Sequence, residues 1–166
     1  MESEAVRQQS WCDKNGTPFV IHWVTVGDFE QVWSLYGVFQ PRPASQGLPP
    51  ADDDVCRAWV RNLLTQGENV IARRGETVIG HATITPDPAH NDCEFVIFVH
   101  QDDRSIGVGS ALTQWILDHV HASTMSTIWL TVDTRNVRAI RLYRKFRFEY
   151  CDRDPCERVM KKSLTD

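Results

Sequence analysis

No stretch of this chain approaches the roughly 20 consecutive apolar residues needed to cross a bilayer. The polar opening MESEAVRQQS also lacks the apolar centre of a secretory leader, so the expected location is cytoplasmic. Cysteine is sparse and poorly placed for a framework. The five residues, Cys12, Cys56, Cys93, Cys151 and Cys156, are odd in number and include no C-x-x-C pair, which argues against both disulfide scaffolds and zinc sites. Basic charge is not in excess: 18 Lys and Arg against 22 Asp and Glu leave a net charge of −4, so neither nucleic acid nor an anionic membrane is the default partner. Histidines at ligand spacing are missing too, because His119 and His121 stand two apart where a helical metal pair stands four apart, and no metal is expected. There is no G-x-x-x-x-G-K-[ST], and the G-x-G at Gly107 is not completed as G-x-G-x-x-G because Leu112 takes the last place.

What remains is a chain of 166 residues with 42% hydrophobic content and six tryptophans, enough for one domain with one core. The first 17 residues are polar with a Gly-Thr-Pro break and read as an arm, with the domain expected over 18–166. Residues 19–26 are aromatic and β-branched and predict a strand. A helix then starts at Gly27-Asp28, with Asp28 as N-cap, Gln31 in the capping-box position, and Phe29, Val32, Trp33 and Tyr36 on one face. Residues 40–50 hold four prolines and a glycine, an irregular connection that can shape a substrate entrance. Residues 52–66 predict an amphipathic helix with three acids at its positive end, an apolar stripe of Val55, Cys56, Trp59, Val60, Leu63 and Leu64, and a stop at Gly67. Residues 70–73 and 77–85 predict a hairpin turning at Arg74-Gly75-Glu76, with Pro86 and Pro88 closing its second strand. Residues 94–99 predict a central strand buried on both faces. Further on come a helix over 108–121, a strand over 127–132, a helix over 136–146, and terminal strands at 148–151 and 158–161 around Asp154-Pro155.

The chemistry concentrates at Arg104-Ser105-Ile106-Gly107-Val108-Gly109-Ser110, between the buried strand and an amphipathic helix. Unpaired backbone N–H groups and the helix dipole favour an anion there. Two glycines let the backbone approach a diphosphate, and Arg104 can add charge-assisted hydrogen bonds. A lone G-x-G also serves tight turns, so the context matters more than the glycines.

That context resembles the GNAT superfamily of N-acetyltransferases, in which a central strand ending in valine is followed by a short loop and [QR]-x-x-G-x-[GA] opening a helix. Here these are Val99, His100-Gln101-Asp102-Asp103 and Arg104-Ser105-Ile106-Gly107-Val108-Gly109. A second block of the family, asparagine before a helix that ends in tyrosine and then an aromatic, is matched by Asn136, Ala139, Leu142, Tyr143, Lys145 and Phe148. Cys93-Glu94-Phe95 resembles the A-E-F segment of bacterial GNAT enzymes that acetylate protein lysines. One position departs: a glycine usually stands where this chain has Arg147, and the geometry behind Tyr143 depends on how Arg147 closes the helix.

The resemblance implies a single α/β (α+β) domain, a mixed and mostly antiparallel sheet flanked by helices on both faces. It also implies acetyl-CoA as cosubstrate, a primary amine as acceptor, and direct attack in a ternary complex without metal. The acceptor is a protein lysine or a small-molecule amine, and a homodimer is left open. Phe98, Val99, residues 104–110, Asn136, Ala139, Tyr143 and Lys145 are then the cofactor-binding residues. Glu94 is the candidate general base and Tyr143 the candidate proton donor to the leaving thiolate. A lysine amine with pKa about 10.4 costs about 4 to 5 kcal/mol to deprotonate at neutral pH, which is why a base is useful. Each residue also has a plainer role: Glu94 as a solvated carboxylate, Tyr143 as core, Asn136 as helix cap, Lys145 as a helix-end charge and Cys93 as a small buried side chain. The competing function is a non-catalytic acyl-CoA-binding module.

Overall fold

The computed structural model describes residues 8–42, 48–151 and 157–165. β-rich stretches form β1 (Gln8–Cys12), β2 (Pro18–Val24), β3 (Glu68–Arg74), β4 (Thr77–Asp87), β5 (Asp92–Val99), β6 (Thr127–Asp133), β7 (Glu149–Tyr150) and β8 (Glu157–Ser163). They make one sheet in the order β1-β2-β3-β4-β5-β6-β8-β7, antiparallel throughout except where β5 meets β6. The helices are α1 (Phe29–Tyr36), α2 (Asp53–Gln66), α3 (Val108–His121) and α4 (Val137–Lys145). The β5–α3–β6 crossover is the step that makes the one parallel pair, since parallel neighbours need a helix-length connection.

The helices cover both faces of the sheet. Leu112 and Ile116 of α3 and Tyr143 of α4 pack with Phe95, Ile128 and Leu130 on one face, while Val32 and Tyr36 of α1 and Val60 of α2 pack with Ile71 and Phe98 on the other. The mixed, mostly antiparallel α/β architecture expected above is therefore present. On β5, period-2 alternation sends Cys93, Phe95, Ile97 and Val99 toward the α3–α4 side and Glu94, Val96 and Phe98 toward the α1–α2 side. Burial on both faces is only partial, because Val96, Ile97 and Val99 remain half-buried. No helix among the described residues is long and apolar enough to cross a membrane.

Several local expectations are corrected. Residues 8–17, expected in a polar arm, include β1, whose backbone pairs with β2 from Gln8↔His22 to Cys12↔Pro18. Asp28 is not the side-chain cap of α1. Thr25 caps a preceding 3₁₀ turn, its hydroxyl accepting from Gly27 N, and Asp28 answers by accepting from Thr25 N at 2.8 Å. Val55 leaves the apolar stripe of α2 and is 57% exposed, being in the first turn before the helix reaches the sheet. Pro86 sits within β4 opposite Cys93 instead of ending it. β7 and β8 do pair, and β8 also pairs along β6, so it lies between them. Asp154-Pro155 lies outside the described residues.

One buried polar chain crosses the α1–α2 side. Asn69 donates through Nδ2 to the carbonyls of Leu63 and Gly67, so its Oδ1 accepts from His81 Nε2 at 2.9 Å. That assigns the proton to Nε2 and leaves His81 Nδ1 to accept from the Tyr36 hydroxyl at 2.6 Å. His81 is fully buried, and burial holds its pKa down at about 3, so the imidazole is neutral.

Candidate acyl-transfer site

β5 and β6 pair only over Asp92↔Thr127, Cys93↔Ile128 and Glu94↔Trp129, then run on to Val99 and Asp133 without pairing to each other. Past Glu94 the sheet is therefore split, and the β6-facing backbone groups of β5 have no ladder partner there. Phe98 buries its ring among Tyr36, Phe39 and Trp59, with centroids 5.5 to 5.7 Å away. Those contacts hold the end of β5 rigid while its main chain lines the split.

After Val99 the chain makes a 3₁₀ turn over residues 101–103 and reaches Ser105 at φ 66° and Gly107 at φ 106°. Gly107 is the N-cap of α3 and offers no side chain to it, and the first intrahelical bond runs from Ala111 N to Gly107 O at 3.0 Å. The N–H groups of Val108, Gly109 and Ser110 thus have no partner among the described residues, and they converge with the positive end of the dipole. Gly107 is needed for its left-handed φ. Gly109 is needed for close packing: a Cβ there would lie 3.3 Å from Leu142 Cδ2 and 3.6 Å from Val99 Cγ2, so its small size serves the approach of α4 and β5.

Arg104 does not point freely into the loop. Its Nε donates to Val99 O at 3.0 Å, its Nη2 to Gln40 O at 2.7 Å, and its guanidinium lies over the Phe39 ring at 5.0 Å. Burial, then the charge of Arg138, lower its pKa. Gln101 reinforces the same join, accepting from Gln40 N and donating to Val38 O. A cation that does reach the helix start is Lys145, whose Nζ donates to Ser110 Oγ at 3.0 Å.

Glu94 is half-buried at the last paired position before the split, and desolvation raises its pKa. Tyr143 is buried on the opposite face, its ring 6.4 Å from Phe95 and 5.9 Å from Phe148, and burial pushes its pKa up, which keeps the phenol protonated. No partner for its hydroxyl occurs among the described residues. Asn136 caps α4 by accepting from Ala139 N at 3.2 Å, a use of Oδ1 that leaves its NH₂ as donor. Cys93 is fully buried with its pKa pushed up to about 12 by desolvation, which fits a packing residue and not a nucleophile. Among the described residues no cluster of His, Cys, Asp or Glu could hold a metal ion.

A strand pair that parts at a carboxylate, followed by an uncapped glycine-led helix, is the arrangement to which known proteins can be compared. The model of the acetyltransferase (GNAT) family matches residues 29–148. The chain belongs to that family. Among solved structures, the GNAT domain of S. lividans PAT is similar with a TM-score of 0.79, at 16% identity over 98% of this chain and 99% of that one. An acetyltransferase from Salmonella typhimurium, solved with its cofactor acetyl-CoA, has a TM-score of 0.68 at 17% identity over 89% of this chain and 95% of that one. The ribosomal-protein-S18-alanine N-acetyltransferase of Escherichia coli has a TM-score of 0.70 at 18% identity, again over 89% and 95%. Among curated proteins none matches the sequence. The protein is a GNAT acetyltransferase, and the family uses acetyl-CoA.

Within this GNAT domain the structure brings Glu94, Phe98 and Val99 to the split, Tyr143 beside its start, and Lys145 to Ser110. It turns Arg104 from a free phosphate ligand into a strut between β5 and Gln40. It also adds residues that the sequence motifs did not expose. Arg74 bridges Asp13 at 2.7 Å and Asp103 at 2.5 Å, tying the β1–β2 turn and the β3–β4 hairpin to the loop before α3. Asp13-Lys14-Asn15-Gly16 carries a turn signature that points to a hairpin. Nothing in the order of the chain announces its neighbour across space.

Proposed function

We propose that this GNAT enzyme transfers the acetyl group of acetyl-CoA to a primary amine by direct attack in a ternary complex. The observation that carries this reading is the split between β5 and β6 opening directly after Glu94 and leading to the uncapped N-terminus of α3. The diphosphate rests on main-chain N–H groups within residues 105–110, with Lys145 supplying charge and Ile106, Val108 and Ala139 shaping the walls. The Asn136 amide donates to the pantetheine arm, whose amides continue the broken ladder.

The amine nitrogen attacks the thioester carbonyl. The C–N bond forms, and the oxyanion is stabilised by backbone N–H at Phe98 or Val99. Glu94 takes the ammonium proton, directly or through water, as the amine becomes nucleophilic. The C–S bond breaks, Tyr143 donates its proton to the sulfur and coenzyme A departs as the thiol. The second proton of the attacking nitrogen returns through solvent to the Tyr143 phenolate, and Glu94 releases the ammonium proton to solvent, so that one proton is set free per turnover. Tyr143 is protonated at neutral pH, the state donation requires, although burial makes it a weaker acid.

For the acceptor we infer a protein amine, a lysine first, ahead of a small polyamine. An acidic pocket for a cationic small molecule would call on Asp52 to Asp54, yet Asp52 accepts from Val55 N as the cap of α2 and Asp53 pairs with Arg42. Calorimetry with acetyl-CoA followed by a thiol-release assay over lysine peptides, N-terminal peptides and small amines tests the reading. Release with lysine peptides above the others is expected. Binding with no release across the whole panel would leave an acyl-CoA-binding module instead.

A further inference from the structure

We propose that Lys14, on the turn between β1 and β2, is an additional ligand of the coenzyme A diphosphate, held in place by the Asp13–Arg74–Asp103 clasp. The proposal rests on the acetyl-CoA reading above. Lys14 and Asp13 lie outside the segment 29–148 that the family match covers, while Arg74 and Asp103 lie within it.

The turn is a built part of the site. Asp13 is buried and accepts from Asn15 N at 2.8 Å, from Thr17 N at 2.9 Å and from Arg74 Nη2 at 2.7 Å. The other arm of Arg74 reaches Asp103, at the end of the 3₁₀ turn before the phosphate loop. Lys14 N donates to Ile106 O at 2.8 Å, so the main chain of the turn is bonded directly to the loop. With its backbone fixed, the Lys14 side chain runs across Gly107, its Cγ 3.9 Å from where a Cβ would stand, and Nζ donates to Ser105 O at 3.2 Å. An ammonium has three donors, and a single bond to an exposed carbonyl leaves two for an arriving anion.

Electrostatics asks for such a group. A diphosphate is doubly charged, the chain as a whole is acidic at −4, and Arg104 is committed to the carbonyls of Val99 and Gln40. Lys145 stands on the Ser110 side of the helix start, and Lys14 supplies the matching cation on the Ser105–Gly107 side. The hairpin that carries Lys14 then has a use beyond extending the sheet by one strand.

The test is calorimetric titration of the full chain with coenzyme A and with 3′-dephospho-coenzyme A, for the wild type, Lys14→Ala and Lys14→Arg. Lys14→Ala is expected to weaken both ligands by about tenfold, or about 1.4 kcal/mol, while Lys14→Arg stays within about threefold of wild type. The melting temperature of the ligand-free protein should not move, because Lys14 is exposed; a purely structural brace would move it and leave affinity alone. Unchanged affinity in Lys14→Ala overturns the proposal. A loss seen with coenzyme A and absent with the dephospho form overturns the diphosphate assignment, since the contact would then be to the 3′-phosphate. Failure of the wild type to bind either ligand overturns the acetyl-CoA reading itself, and Lys14 with it.

Discussion

Glu94 combines two properties that pull against each other. Its burial raises the carboxyl pKa and so makes it a better base, and the same burial penalises the charged form in the folded state. A carboxylate with a raised folded pKa contributes most to stability below its unfolded pKa and loses that contribution as pH rises through the folded value. At neutral pH Glu94 is therefore a stability liability, one that the proposed role as base would account for. Glu94→Gln is expected to lower kcat by about 10² to 10⁴ and to flatten an acidic limb centred above the ordinary carboxylate value of about 4.3. The same variant should melt at or above the wild-type temperature at pH 7, which a thermal scan checks. An unchanged acidic limb would place the base elsewhere. Tyr143 is tested by removal of one oxygen. Because its hydroxyl has no partner among the described residues, Tyr143→Phe should keep the packing against Phe95 and Phe148, hold KM for acetyl-CoA, and lower kcat by about 10-fold or more. Steady-state kinetics at saturating amine measures the split.

At the scale of the element, the end of α4 shows how the family's missing glycine is handled. Arg147 adopts φ 64°, Arg147 N donates to Arg144 O, and Phe148 N donates to Tyr143 O, each at 3.0 Å. These are the two hydrogen bonds of a Schellman motif, with Phe148 packed on Tyr143 as its hydrophobic contact. The terminus keeps the geometry a glycine would take and accepts the left-handed strain of an arginine. Arg147→Gly should accordingly stabilise the protein by about 1 kcal/mol, read as a rise of about 2 to 4 °C in Tm, with kcat unchanged. A fall in Tm would show that the Arg147 side chain contributes more than its backbone costs. Helix α3 was legible to the residue, Val108 to His121, because its apolar period and its opening glycine agree. β1 was not. Gln8-Gln9-Ser10-Trp11-Cys12 has no alternating apolar pattern to read, and only its backbone pairing to β2 makes it a strand. Asp28 holds the N-cap position of α1 as expected, but its side chain makes no cap bond there for a related reason, since Thr25 and Asp28 form their own box one turn earlier and nothing in the pattern ranks one box over the other.

For the molecule as a whole, the buried Tyr36–His81–Asn69 chain contributes to its response to acid. His81 has a folded pKa of about 3, far below the ordinary histidine value of about 6.5, so its contribution is intact above pH 6.5 and lost as pH falls toward 3. Full slope for one proton is about 1.4 kcal/mol per pH unit. Urea unfolding at pH 7 and pH 5 should differ by about 2 kcal/mol from this group alone. His81→Leu should be less stable at pH 7, with the Tyr36 hydroxyl and Asn69 Oδ1 left without their partner, and should show a shallower acid slope. An equal slope would assign the effect to another group.

The family motifs lie in two short blocks, and their chemistry is local: an uncapped helix start, a glycine that must take positive φ, an asparagine three residues before the N–H it caps. Those features follow from the order of residues alone and place α3, α4 and an anion site; the cofactor class comes from their resemblance to the GNAT blocks. The split after Glu94, the diversion of Arg104 to Gln40 and the meeting of Lys14 with Ser105 depend on segments far apart in the chain being brought side by side by the sheet. Only tertiary structure decides such contacts, because hydrophobic pattern specifies which face of an element is buried and leaves unspecified which polar side chain its edge will meet.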